Sequence, residues 1–210
     1  MGSVITGVAL VDDEENPSAV VIVEEREPFG QAGGAVTYEV KHVEDLPAGT
    51  SYPVVARRVA DARRDVQRRR VVTQPGNIYV NAPAVGPEII DVFRAQDLDA
   101  TYVDIDGGDG GDSEDSENDG NRGAGPERAQ GAAETHMDAL VDRFQALLHA
   151  GRIGLSPRDG GGDGDALAAD LAAVEVVMAG NGGATYRHTG AVLIALWLAV
   201  QSASSAPDGK

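Results

Sequence analysis

The segment Asn77-Ile78-Tyr79-Val80-Asn81-Ala82-Pro83-Ala84-Val85-Gly86 puts a polar side chain where chemistry is commonly done. It reads as a short buried strand, then a tight turn, then the first turn of a helix at Pro87-Glu88-Ile89-Ile90. A polar group at the C-terminal tip of such a strand faces the crevice in which open α/β sheets bind ligands. Here that group is the neutral carboxamide of Asn81, which can accept and donate hydrogen bonds but carries no charge. Acids stand at two other predicted strand ends, Asp12 and Asp13 near the first and Asp104 and Asp106 at the fifth. The one concentration of bases is Arg57, Arg58, Arg63, Arg64, Arg68, Arg69 and Arg70. That cluster is either a contact for DNA or an acidic partner, with Arg57, Arg64 and Arg68 as its candidates, or a solvated helix face balanced by Asp61 and Asp65.

Several chemistries are excluded by what is missing. No G-x-x-x-x-G-K-[ST] occurs, so the chain carries no P-loop ATPase, and there is no H-E-x-x-H zinc helix. No G-x-S-x-G elbow is present. The absence of cysteine removes disulfides, thiolate metal sites and Cys nucleophiles. His42, His136, His149 and His188 are scattered, with none at metal-pair spacing. The Gly-rich segments are acidic and would repel phosphate.

The elements that must position these residues follow from periodicity. Val4 to Val11 is a β-branched apolar run and predicts a buried strand; Asp12 to Pro17 is a turn; Ala19 to Glu25 is a second strand, paired with the first as a hairpin. Ala35 to Val43 alternates and predicts a half-buried third strand. Leu46 to Pro53 turns into a helix in which Val55, Val59, Ala62 and Val66 keep helical spacing while the arginines fill the other faces. Ile78 to Val80 is the fourth strand, Pro87 to Ala95 a helix with Pro in its first turn, and Ala100 to Ile105 the fifth strand.

Residues 107–131 are low in complexity and too polar to order themselves, which predicts a disordered acidic insert. Met137, Leu140, Val141, Phe144, Leu147 and Leu148 form one helical stripe, closed by Gly151. Leu167, Leu171, Val174 and Met178 predict a further helix, on which Glu175 faces water, stopped by Gly180-Asn181-Gly182-Gly183. The last helix, from about Thr189 to Ser202, is apolar nearly all round and belongs in the centre of the packing; the tail at 204–210 is expected to fray.

The 210 residues suffice for one domain, expected over 1–203, with a flexible insert. The net charge is −17, from 34 acids against 17 bases, and the only lysines are Lys41 and Lys210. Together with abundant Asp, Gly and Ala, this is the composition expected of the cytoplasm of a halophilic archaeon or its virus. Such self-repulsion is screened there, since the Debye length falls to about 3 Å near 1 M salt. No secretory signal is apparent after Met1, and the longest apolar run, Ala191 to Val200, is half of what spans a bilayer. The expected protein is soluble, cytoplasmic and without a membrane partner.

Four pieces in order resemble the C-terminal nuclease domain of tailed-virus large terminases. Gly7-Val8-Ala9-Leu10 through Asn16-Pro17-Ser18-Ala19-Val20-Val21-Ile22-Val23-Glu24 is similar to that family's opening hairpin, and Tyr79 to Gly86 to its hydrophobic-D-x-x-G-x-G turn. Met137 to Leu148, Gly151-Arg152-Ile153 and the Leu167 to Leu171 helix resemble its helical arm; Arg187-His188-Thr189-Gly190 before Ala195-Leu196-Trp197-Leu198-Ala199 resembles its closing H-x-D…A-L-A-L-A helix.

The resemblance implies an α/β fold, an RNase H-like mixed five-stranded sheet with flanking helices. It also implies a pair of Mg²⁺ or Mn²⁺ ions held by three acids for phosphodiester cleavage. The matched positions are Ala9, Asn81 and Gly190 (or Thr189 or Ala191 if the helix register slips), and none is acidic. The expectation is therefore a terminase-nuclease-like component of a viral or proviral DNA-packaging system. It would be catalytically inactive and without a cofactor, a binding or assembly part for a separate packaging ATPase, other packaging proteins or DNA. The enzyme alternative is a Mg²⁺- or Mn²⁺-dependent endonuclease with a rearranged site around Asp12, Asp13 and Asp104. A third reading is a soluble α/β protein of an acidic proteome with no link to packaging.

Overall fold

The computed structural model describes residues 2–10, 17–27, 35–69, 73–81, 87–106, 133–155, 175–178, 184–187 and 190–201. The chain opens with β1 (Gly2–Ala9), β2 (Ser18–Arg26) and β3 (Thr37–Leu46), then α1 (Tyr52–Arg68), β4 (Thr73–Asn81), α2 (Pro87–Arg94) and β5 (Ala100–Asp106). It continues with β6 (Ala133–His136), α3 (Met137–His149), β7 (Ile153–Leu155), β8 (Glu175–Met178), β9 (Ala184–Arg187) and α4 (Ala191–Gln201).

The predicted hairpin is present: β1 and β2 pair antiparallel from Gly2↔Arg26 to Ala9↔Ala19, and β2 pairs antiparallel with β3. β4 returns parallel to β1, and β5 parallel to β4, as helical crossovers require. The sheet is thus α/β and mixed, but it has seven strands rather than five, in the order β6-β5-β4-β1-β2-β3-β7. The two extra strands are short edges, four and three residues long, and too brief to show alternation in sequence. Ile153, expected in a helical arm, begins one of them.

Two layers of helix cover the sheet. On one face Val8, Leu10, Val20, Ile78 and Val80 pack with Val55, Val59, Ile89 and Phe93 of α1 and α2. On the other, Ile5, Ala9, Val21 and Val23 pack with Leu140 and Phe144 of α3 and most of α4. α4 is central, as its all-round apolarity predicts: Val192, Leu193, Leu196, Trp197 and Val200 are all buried. It begins at Ala191, two residues later than expected. α4 presses on β1 where β1 has no side chain. A Cβ on Gly7 would lie 1.8 Å from the Ala195 carbonyl oxygen and 3.0 Å from the Ala199 nitrogen.

Gly151 does end α3, with φ +63. The Arg152 amide reaches back to the Leu147 carbonyl at 2.9 Å and the Gly151 amide to Leu148 at 3.0 Å, a Schellman closure. Arg152 then joins the sheet edge, its Nε donating to the Val36 carbonyl (2.6 Å) and its carbonyl accepting from Tyr38 N (2.7 Å).

Two expectations are corrected. The helix read through Val174 and Met178 gives way at Glu175–Met178 to strand β8, antiparallel to β9. Glu-Val-Val-Met and Ala-Thr-Tyr-Arg flank the sequence Asn-Gly-Gly, so β-branched residues and a turn-favouring sequence outweigh an apolar spacing of three and four. Arg63, read as part of a polar face, is buried. Between Val4↔Pro75 and Thr6↔Ile78 the β1–β4 ladder bulges, two residues of β4 opposing one of β1. The Arg63 guanidinium reaches into this bulge, donating to Thr6 Oγ1 at 2.8 Å and to the Gly76 carbonyl at 2.9 Å. Burial pushes it below its ordinary pKa. The insert at 107–131, the loop at 160–164, the Leu167 to Leu171 helix, the tail at 204–210 and the Glu175 side chain lie outside the described residues.

Two stability measurements follow, both by urea denaturation at one fixed salt concentration. Gly7→Ala forces α4 off β1 and should lower stability by about 2 kcal/mol or more, since overpacking typically costs about 1–3 kcal/mol. Unchanged stability would mean that α4 does not sit against β1. Arg63→Met leaves the buried Thr6 hydroxyl and the part-buried Gly76 carbonyl without their donor and should cost about 1–3 kcal/mol. The exposed Arg57→Met should stay within about 0.5 kcal/mol of the parent.

Candidate functional site

Two of the three family-matched positions meet. β1 and β4 run parallel, and their last ladder pair is Ala9↔Asn81. One further backbone bond, Leu10 N to the Asn81 carbonyl at 2.9 Å, closes the strand ends together. Ala9 belongs to the apolar cluster shared with α3 and α4. Asn81 stands two residues after Tyr79, which packs against that same cluster, so strand alternation puts both side chains on the α4 face. Both are buried, at 1% and 7% exposure. The third position, Gly190, immediately precedes α4, and its carbonyl accepts the first helical bonds from Leu193 N (3.1 Å) and Ile194 N (3.3 Å). Ala191, the next residue, lies in the same cluster as Ala9. Thr189 is outside the described residues.

The donor set at these positions is a methyl group, a neutral carboxamide and a glycine. Hard dications prefer charged oxygen, and two of them need several carboxylates to offset their dehydration. One amide oxygen does not supply that, so these residues do not fit a two-metal centre.

The substitute acids are Asp12, Asp13 and Asp104. Asp12 and Asp13 lie outside the described residues. Asp104 is held in the β5–β6 ladder opposite Glu134, one step beyond Val103, the β5 neighbour of Asn81. Among the described residues, no group of three or more His, Asp or Glu is placed to hold a metal ion.

The arginine cluster lies on the other layer. Val55, Val59, Ala62 and Val66 bury one stripe of α1, Arg57, Arg58, Arg64 and Arg68 stand exposed on the rest, and Arg69, just past its end, is exposed too. The two acids of the helix do partly balance them. Arg64 pairs with Asp61 at 2.6 Å and Arg68 with Asp65 at 3.9 Å. Arg58 instead crosses to β3, its Nε donating to Glu44 at 2.7 Å. Such exposed pairs contribute about 0–1 kcal/mol each and hold their partners loosely. Arg70 is outside the described residues.

A groove of about 550 Å³, not legible in the sequence, runs between α1 and the end of α2, lined by Ala60, Arg63, Arg64, Gln67 and residues 95–98. Its floor depends on how α2 ends. Asp97 takes a left-handed φ of +56, and the Leu98 amide returns to the Phe93 carbonyl at 3.1 Å. This stop is usually marked by glycine, and an aspartate there gives no such signal.

No helix among the described residues is long and apolar enough to cross a membrane. No family model and no curated protein sequence matches the chain. Among solved structures it is similar to the human cytomegalovirus terminase nuclease domain, in a manganese-soaked form. The TM-score is 0.56 over 94% of this chain and 81% of that one, at 12% identity. At that identity the likeness is one of architecture. The chain has the α/β, RNase H-like fold of a terminase nuclease domain.

Proposed function

We propose that this chain is a single RNase H-like domain working in a viral or proviral DNA-packaging system as a binding or assembly component that does not cut DNA. The pairing of Ala9 with Asn81 carries the reading. The frame of a terminase nuclease domain is kept, and at two adjacent strand tips it presents a methyl group and an amide where the chemistry of the fold calls for charged oxygen. Removing the acids from the frame removes the means of holding the ions, while the core that builds the frame stays buried and intact. The partners would be the other parts of such a system, a packaging ATPase above all.

A second reading keeps the activity with a rearranged centre at Asp12, Asp13 and Asp104. It is favoured only by the position of Asp104, one residue beyond Val103, the β5 partner of Asn81.

Cleavage of supercoiled plasmid in Mn²⁺, at a salt concentration where the chain is folded, separates the two. The expected result is no nicking and no saturable Mn²⁺ binding by calorimetry. Ala9→Asp with Asn81→Asp should add a measurable Mn²⁺ site, because it returns two carboxylates to adjacent strand tips. Mn²⁺-dependent nicking by the parent chain that disappears in Asp104→Asn or Asp13→Asn would establish the enzyme instead.

A further inference from the structure

We propose that the outward ridge of α1 is a contact surface for the backbone of a nucleic acid, with Arg57, Arg64 and Arg68 as its central row. It rests on the reading of the domain as a DNA-handling component, and supplies the contact that this reading leaves unnamed.

The distribution of charge comes first. Seven of the chain's 17 bases fall within residues 57–70, against two acids there. Spread evenly, a stretch of that length would hold about one base. The remaining 196 residues carry ten bases and 32 acids. Five of the seven lie on α1 itself, a gathering that a composition serving only to solvate the protein in salt does not require.

The helix then orders them. Positions 57, 61, 64 and 68 recur at helical spacing on one stripe, directly opposite the buried stripe of Val55, Val59, Ala62 and Val66. At about 1.5 Å rise per residue the row spans roughly 16 Å, long enough to follow several phosphates. Arg63 plays no part, being committed to Thr6 and Gly76 inside the fold. Arg57 and Arg69 make no ion pair among the described residues, and the pairs of Arg64 and Arg68 are exposed ones with neighbours on their own helix. These side chains are free to exchange Asp61 and Asp65 for a stronger anion. The planar guanidinium fork suits phosphate oxygens, which it can engage with two hydrogen bonds at once.

The rest of the molecule orients the encounter. A polyanion with about one charge per 1.7 Å of duplex is repelled by a chain of net charge −17, except where the local sign is reversed. α1, with five arginines against two acids, is a described element where that happens. An acidic protein segment would feel the same ridge with a lower charge density. The surface lies on the layer opposite Ala9 and Asn81, so holding DNA there needs no metal.

The test is fluorescence anisotropy of a labelled duplex with the full chain, over a series of KCl concentrations at which circular dichroism shows it folded. Affinity should fall linearly on a log–log plot. The triple variant Arg57→Gln, Arg64→Gln, Arg68→Gln should bind ~10-fold or more weakly, with the slope reduced by roughly 0.9 for each phosphate it no longer neutralises. Asp61→Asn with Asp65→Asn should bind more tightly, a gain that misfolding cannot imitate. The proposal is overturned if the parent does not bind at the lowest salt that keeps it folded, or if the triple variant binds as the parent does. It also falls if polyglutamate occupies the ridge more tightly than the duplex. Plasmid nicking in Mn²⁺ reports on the strand-tip site alone, so nicking with normal α1-dependent binding would sink the non-cutting role and leave this surface standing.

Discussion

Helix α4 lies so close to β1 that nothing larger than a hydrogen fits between them at Gly7. Much of the fold depends on that approach. A helix apolar on every side must be covered on every side. Here β1 and β2 take one side, and α3 takes another through Phe144 and Trp197, whose ring centroids are 6.3 Å apart. The sheet can serve as a flat floor for α4 only because β1 offers a bare backbone at the point of contact. The same approach sets the site, since α4 begins at Ala191 and β1 ends at Ala9 within one buried cluster. Any chemistry on this face of the strand tips would share that cluster with α4.

The opposite face of β1 solves a different problem. Its parallel partner β4 carries two residues against one at the bulge, and a bulge leaves a ladder group without a strand partner. Arg63 fills that gap from α1. A buried arginine is costly unless its donors are used, and two of them are, on Thr6 and Gly76. The arginines of α1 therefore divide into two kinds that composition cannot separate. One ties helix to sheet, while the exposed ones leave a positive ridge on a negative molecule.

Legibility in the sequence followed the length and purity of each signal. β1 and β2 were readable because long β-branched runs flank a turn, and α1, α3 and α4 because apolar spacing persists over several turns. β6 and β7 are too short to have a period, and β8 was hidden by residues that satisfy helical spacing while preferring strand. The adjacency of Ala9 and Asn81 could be anticipated, because a hairpin followed by a right-handed crossover returns the next parallel strand beside the first. Arg63 could not, since nothing in Arg-Arg-Asp-Val-x-Arg-Arg-type surroundings tells which guanidinium points inward. The groove beside α2 was equally hidden, for Asp97 adopts a conformation that sequence normally advertises with glycine.

What the strand tips lack also bears on stability. Neighbouring parallel strands lie about 4.8 Å apart. Two carboxylates at Ala9 and Asn81 would repel by about 3 kcal/mol at an effective dielectric constant of 20. They would also lose hydration, because both positions are almost wholly buried. A nuclease with this frame must offset that cost with bound cations, so its ions stabilise the fold as well as doing its chemistry. Under the proposed role the cost never arises. A methyl group and an amide can sit under α4 without a counter-ion, and the domain can hold its shape whatever the supply of divalent metal. In so acidic a chain the exchange has a further consequence. A neutral pair at these strand tips adds no repulsion toward nucleic acid and needs no metal to mask one.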